Sequence, residues 1–322
     1  FYGVLQVVAV TLFGYYYVAA GCDVDKEEAM EYDRLVRNKQ WQEIIEKAEE
    51  KSPVSPFGVT CLNLALGKTG QMGDRMFEFY QNGTEGLLPE FRRDFTSPLP
   101  TSEAYYHLGM INTAQRFTFE AMESIPNFNK SSRCFKRLAE TNLINGQYEV
   151  AAKYLRALRK TLFYKDWAEE AMTYLYDEEK INAHKEWGWL RQIRYTEDFL
   201  FSDREMDIML GLLYQHDHRN RMAFEYMLAY VLQQRDLERF MKYYPLGKHA
   251  GYDHIPRSYQ EALVYVWTQT HKNFQGMPWS ISPQVVREVT EFARIYTSQQ
   301  NARQVLPERF GSTYWNYLLL RK

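Results

Sequence analysis

Charged side chains are absent from Phe1 to Cys22 and frequent from Asp23 onward, and this break divides the chain. The first segment reads Phe-Tyr-Gly-Val-Leu-Gln-Val-Val-Ala-Val-Thr-Leu-Phe-Gly-Tyr-Tyr-Tyr-Val-Ala-Ala-Gly, with Gln6 its one strongly polar side chain. About 20 helical residues cross the ~30 Å hydrocarbon layer of a bilayer, so 1–22 has the length of a transmembrane helix. Tyr15, Tyr16 and Tyr17 sit near its end, where amphipathic rings favour the headgroup level. Gly3 and Gly14 fit positions where membrane helices touch. A buried core helix is the competing reading.

Ala19-Ala20-Gly21-Cys22 also looks like a bacterial lipoprotein processing site, although Ala19 stands where such sites usually carry a larger aliphatic residue and no basic region precedes the apolar run. The flank sets the expected orientation. Asp23 to Asp33 holds six acids and one base, Lys26. Cytoplasmic flanks are enriched in Lys and Arg, so this flank reads as non-cytoplasmic. In a bacterial inner membrane the domain 23–322 is then expected in the periplasm.

From residue 23 the pattern is helical. Pro and Gly punctuate segments of helical length, and no alternating strand pattern stands out. The clearest unit begins at Ser132: Phe135-x2-Leu138-Ala139, then Gly146-x-Tyr148-x2-Ala151-x3-Leu155-x2-Leu158. Two amphipathic helices about a Gly-containing turn account for it, and the unit resembles the tetratricopeptide (TPR) repeat of about 34 residues. Tyr105-x2-Leu108-Gly109 with Ala121 repeats the register, as does Leu210-Gly211-x2-Tyr214 with Ala223-x3-Met227-x2-Tyr230, where His216 to Asn220 supplies the turn. Tyr32 to Ala48 reads as a degenerate first unit and Leu64 to Phe79 as a weaker one, with loops over Leu87 to Pro100 and Tyr244 to Pro256 and closing helices from Val285 to Leu320. The expected fold class is all-α: a TPR-like α-solenoid of helix-turn-helix repeats preceded by one transmembrane helix.

Asn220-Arg-Met-Ala-Phe-Glu-Tyr-Met-Leu-Ala-Tyr-Val-Leu, Asp236-Leu-Glu-Arg-Phe and Ile255-Pro-Arg-Ser-Tyr-Gln-Glu-Ala-Leu together resemble a family of uncharacterised bacterial membrane proteins with several spans and a C-terminal TPR-like tail. The resemblance implies that Phe1 to Gly21 is the last span of a longer protein. It implies no activity and no catalytic residues.

Composition narrows function further. The net charge of −2 argues against a nucleic-acid footprint, which needs a basic face. Cys22, Cys61 and Cys134 form neither a zinc spacing nor a disulfide framework, though one bridge is compatible with an oxidising compartment. The 25 tyrosines suit interhelical packing first and a stacking surface for sugars or peptides second. His216-x-His218 beside Asp217 lacks further metal ligands. The Gly247 to Pro256 loop carries His249, Tyr252 and His254, followed by Arg257, Tyr259 and Glu261, the densest mixture of functional groups. Trp187-Gly188-Trp189 with Arg191 and Arg194 reads as an interhelical wedge or a stacking site. Glu169-Glu170 and Glu178-Glu179 read as solvated helix faces rather than a glycosidase pair. No GxSxG, Walker A, GxGxxG or HExxH motif is present.

The expected function is a membrane-anchored scaffold that holds a protein or peptide and carries out no catalysis, with no cofactor or metal implied. The alternative is an accessory or substrate-positioning domain of a membrane or cell-envelope enzyme. Helical-repeat stacks bind through grooves lined by their first helices, which nominates Tyr105, Asn112, Asn142, Tyr214 and Arg219, with His249 and His254 from the loop.

Overall fold

Five turns in this chain close in the same way. Lys39, Gly70, Gly109, Gly146 and Arg235 each adopt a left-handed conformation, with φ of 57°, 69°, 91°, 73° and 60°. The next residue's N–H then donates back across the turn: Gln40 to Leu35 C=O, Gln71 to Leu66, Met110 to Tyr105, Gln147 to Asn142 and Asp236 to Val231. This is a Schellman closure, which satisfies the last carbonyls of one helix and reverses the chain into the next.

The computed structural model describes residues 2–21, 23–90, 98–126, 130–197, 202–271 and 273–320. Cys22 lies outside the described residues, as does 91–97 of the loop expected from Leu87 to Pro100. Among the described residues every regular element is helical and there is no strand. The order is α1 (Tyr2–Gly21), α2 (Val24–Arg37), α3 (Trp41–Glu50), α4 (Pro56–Thr69), α5 (Met72–Arg75), α6 (Pro98–Leu108), α7 (Ile111–Glu123), α8 (Ser132–Ile144), α9 (Tyr148–Leu158) and α10 (Lys165–Met172). There follow α11 (Glu178–Ala183), α12 (Trp187–Ile193), α13 (Met206–His216), α14 (Arg221–Gln233), α15 (Leu237–Tyr243), α16 (Arg257–Thr270), α17 (Pro283–Ser298), α18 (Ala302–Phe310) and α19 (Tyr314–Leu319).

Helix starts follow capping chemistry. Asp23, Ser55, Ser131, Asn220 and Asp236 each accept a backbone N–H two or three residues inside the helix they open. The pairs α6/α7, α8/α9 and α13/α14 pack as antiparallel hairpins, and α7 packs on α8 to join two of them. The segment Leu64 to Phe79 departs from a full pair. Its second helix, α5, is one turn long and continues as a 3-10 turn, Met76–Glu78.

One apolar core runs from Tyr32 to Tyr317, with a satellite under α16 to α19 around Phe292, Leu306 and Trp315. Tyr32, Tyr106, Tyr226, Tyr259 and Tyr314 are wholly buried in it, so much of the tyrosine content is packing. Cys61 and Cys134 are buried free thiols. In α4 every residue from Gly58 to Gly67 is buried, and in α14 every residue from Ala223 to Gln233. Both helices are covered on all sides.

α1 is the opposite case. It is apolar and uncharged, and none of its residues is buried. Among the described residues nothing covers it, so α1 is not part of the core described above. Its 20 residues suffice in length and composition to cross a bilayer, properties that a signal sequence shares.

Candidate functional site

A concavity of about 790 Å³ opens between the α15–α16 connection and the segment before α17, lined by Tyr244, Lys248, Tyr252, His254, Trp279 and Ile281 among others. Its walls follow from local sequence. α15 runs on into a 3-10 turn, Tyr244–His249, with Pro245 near its start. Gly247 lies flat on the Phe224 ring, and a Cβ there would stand 2.5 Å from that ring, so only glycine fits. Gly251 reverses the chain at φ 65°, and Pro256 caps the run into α16.

α5 anchors the floor. Gly73 packs against Pro256, where a Cβ would come within 2.7 Å. This brings Asp74 to the N-terminus of α16, where its carboxylate accepts the Arg257 N–H at 2.9 Å and lies 3.0 Å from His254 Nε2. A carboxylate at a helix N-terminus is stabilised by the unpaired N–H groups and the helix dipole.

Behind Tyr252 sits Glu225 of α14, 1% exposed. Arg221 Nε donates to Glu225 at 2.7 Å, and its guanidinium lies 4.3 Å over the Tyr252 ring. The other carboxylate oxygen of Glu225 has no hydrogen-bond partner among the described residues. Burial pushes the Glu225 carboxyl up to about 7, against the opposing pull of Arg221. Glu261 of α16 is likewise pushed up to about 7 by burial, although it accepts the Tyr314 N–H at 2.6 Å and pairs with Arg257 at 3.0 Å.

A second ionic cluster joins α6 and α8. Arg137 is held by Glu103 at 2.5 Å and Glu140 at 2.7 Å, with its guanidinium 3.6 Å over the Tyr106 ring. Tyr106 donates to Glu186 at 3.0 Å, and Glu186 also pairs with Lys39. Burial by itself raises the Glu186 carboxyl, but Lys39 and Tyr106 together hold it below its ordinary value. Each charge here already has a partner, and the cluster reads as a clamp between helices.

The nominated anchors separate into two groups. Tyr105 is 3% exposed and stacks on Phe117 at 5.1 Å. Asn142 is fully buried and donates to Leu138 C=O at 2.6 Å. Tyr214 is 1% exposed, against His218 and Phe224. These three side chains are buried in the helix packing, and Tyr105 also borders a small crevice of about 50 Å³.

Asn112, Arg219, His249 and His254 are exposed. Asn112 accepts from Asn145 at 2.9 Å beside a crevice of about 360 Å³ that also includes Arg194 and Tyr195. Arg219 chelates Asp217 at 2.6 and 3.0 Å and lies 5.7 Å over Trp189. His249 lies 5.2 Å from His218, which stacks on Tyr214. His254 alone of the seven lines the large groove. His218 Nδ1 is 2.8 Å from the Tyr214 carbonyl, and among the described residues no three His, Cys, Asp or Glu side chains gather as metal ligands. Trp187 is 4% exposed and stacks on His184 at 4.1 Å.

The sequence reading passed over Glu225, Arg221 and Asp74. Glu225 had a signal, since it is the one charge inside the run Met222 to Leu232 and stands four residues from Arg221. Asp74 had none, because its partners are about 180 residues away.

Fold and groove together define an all-helical protein of reversing helix pairs with a separate, uncovered apolar helix at one end. The chain belongs to a family of unknown function, DUF6057, whose pattern matches residues 2–321, so α1 and the helical remainder fall within one family unit. No curated protein and no solved structure matches it.

Proposed function

We propose that this chain is a membrane-tethered scaffold. α1 lies in the bilayer, and residues 23–322 form a TPR-like α-solenoid on the non-cytoplasmic side, periplasmic in a bacterial inner membrane, that holds a protein or peptide. The observation that carries this reading is α1 itself: 20 uncharged residues that bury nothing against the domain that follows. The repeated Schellman turns support the solenoid, since the closures at Lys39, Gly70, Gly109 and Gly146 recur at steps of about 30 to 40 residues, the range of helical repeats, and only the one at Arg235 follows after a longer interval. The groove supports peptide binding. Tyr244, Tyr252, Trp279 and three prolines give it rigid apolar walls, with Lys248 and His254 as polar contacts.

A second reading, an accessory or substrate-positioning domain of a membrane enzyme, draws on Glu225. A carboxyl held near neutrality behind a groove wall is a feature of acid-base sites. A two-carboxylate glycosidase draws no such support, since Asp253 is the only carboxylate among the described residues lining the groove.

The test is a photoreactive amino acid at Lys248 of the full-length protein in native membranes. The scaffold reading expects a discrete crosslinked protein that disappears with Trp279→Ala. Crosslinks to lipid or glycan alone would move the weight to the second reading.

A further inference from the structure

The two most exposed large apolar side chains outside α1, among the described residues, are neighbours: Leu162 at 86% and Phe163 at 87%. They stand in the short connection between α9 and α10. From Val150 to Lys165 the chain carries Lys153, Arg156, Arg159, Lys160 and Lys165 and no acid. All five bases are exposed, and among the described residues none forms an ion pair. Asp166 follows directly in the first turn of α10, so the bases outnumber the acids here five to one. A solvated surface loop has no reason to present adjacent Leu and Phe; an apolar tip ringed by uncompensated cations matches a surface that is anionic outside and apolar beneath.

The topology puts this loop on the edge from which α1 departs. Asp33 of α2 meets Arg133 of α8 at 2.7 Å. Further along both helices, Lys39 meets Glu186, which is held by Tyr106, whose ring covers Arg137. The order Asp33 to Lys39 therefore matches Arg133 to Arg137, and α2 and α8 run the same way. α2 climbs about 13 Å from Val24 to Asp33 at 1.5 Å per residue, so its start lies beyond the start of α8 on that side.

α9 returns antiparallel to α8, with Tyr154 against Phe135 at 5.4 Å, so Leu162 and Phe163 project past the same edge. Val54, 65% exposed after α3, lies there as well. The acids near α2's start are largely engaged: Asp23 with Lys26 at 2.9 Å, Glu31 with Lys47 at 2.6 Å, and Glu28 with Ser55 at 3.2 Å.

We propose that the Lys153–Lys165 segment is a second membrane contact, in which Leu162 and Phe163 enter the headgroup layer while the five cations bind anionic phospholipid headgroups. The position of the bilayer relative to this edge rests on the reading of α1 as a span. The two contacts together fix the domain's tilt, which a single attachment through α1 does not.

The experiment uses the full-length protein with Cys22→Ser, reconstituted in vesicles rich in phosphatidylglycerol or made of phosphatidylcholine alone. A nitroxide is placed at Val8→Cys, Phe163→Cys or Tyr176→Cys, and its depth is read from relative collision rates with oxygen and a water-soluble nickel chelate. The proposal expects Val8 at hydrocarbon depth, Tyr176 in water, and Phe163 at headgroup depth only in the phosphatidylglycerol vesicles. R159E/K160E should return Phe163 to water, with the Val8 reading unchanged. Phe163 as aqueous as Tyr176 in both lipids overturns the proposal while leaving the α1 span intact, and equal depth in both lipids overturns the role of the cations. If Val8 reads as aqueous, the span reading itself fails. Co-flotation of the same protein with phosphatidylglycerol vesicles then decides: a drop of about tenfold or more in R159E/K160E sustains the loop contact, and no flotation removes it.

Discussion

The guanidinium of Arg137 lies 3.6 Å over the ring of Tyr106, clamped edge-on by Glu103 and Glu140. One cation thereby joins α6 to α8 and, through Tyr106 and Glu186, reaches the turn after α2. Breaking such a pair leaves buried, uncompensated carboxylates. Arg137→Ala should cost about 3–5 kcal/mol, read as a shift of the urea unfolding midpoint. Replacing the triad together, with Arg137→Met, Glu103→Leu and Glu140→Leu, should cost much less, because the charges leave as a set.

Left-handed turns give a second, graded prediction. Gly146 pays nothing for φ 73°, whereas alanine there costs about 1–2 kcal/mol. Arg235 already carries that strain at φ 60°. Its replacement by glycine relieves the strain but loses the contact over the Tyr317 ring at 5.4 Å, worth about 0.5–1 kcal/mol, and adds unfolded-state entropy. Gly146→Ala should therefore lower the unfolding midpoint clearly, and Arg235→Gly should move it by less than about 1 kcal/mol in either direction.

The two buried carboxyls make stability depend on pH in an uncommon direction. Glu225 and Glu261 sit at about 7 in the fold, above the ordinary glutamate value of 4.5. The folded state thus binds protons that the unfolded chain releases, so their contribution is full below 4.5 and is lost as pH rises through about 7. Stability should rise by a few kcal/mol for the two groups when pH falls from about 8 to about 5.5, read as a higher unfolding temperature. Glu225→Gln should flatten that slope by about half. A flat or opposite slope in the unsubstituted protein contradicts the burial assigned to them.

Gly247 tests the groove wall. Gly247→Ala drives a methyl into the Phe224 ring at 2.5 Å, and the 3-10 turn must lift. Crosslinking from Lys248 should fall while the global unfolding midpoint changes by less than about 2 kcal/mol, since the turn itself buries no residue.

Sequence alone reached the helical class and several turns, and the reasons differ element by element. Gly109 and Gly146 mark their turns because glycine takes positive φ freely. Lys39 and Arg235 make the same turn without glycine, and the turn at Lys39 was legible only through the helical pattern of Tyr32 to Ala48 around it. α1 was legible from its lack of charge. Tyr105, Asn142 and Tyr214, expected to line a groove, are buried: helical spacing gives a face, but a helix can be covered on opposite faces, as α14 is from Ala223 to Gln233. The groove needed Asp74 and Gly73 to reach Pro256 across the whole chain, and no periodicity carries that information. Of the loop residues singled out beforehand, Tyr252 and His254 do line it.

The most direct test of the tethered-scaffold account is thiol accessibility in cells. Full-length protein with Cys22→Ser would carry a single added cysteine, at Val8 or at Tyr176, and be treated with a membrane-impermeant maleimide in spheroplasts. Cys61 and Cys134 are buried and stay silent in the folded protein. The account predicts that Tyr176→Cys is labelled in intact spheroplasts and Val8→Cys only after detergent. Labelling of Val8→Cys without detergent, or of Tyr176→Cys only once the inner membrane is broken, would contradict it.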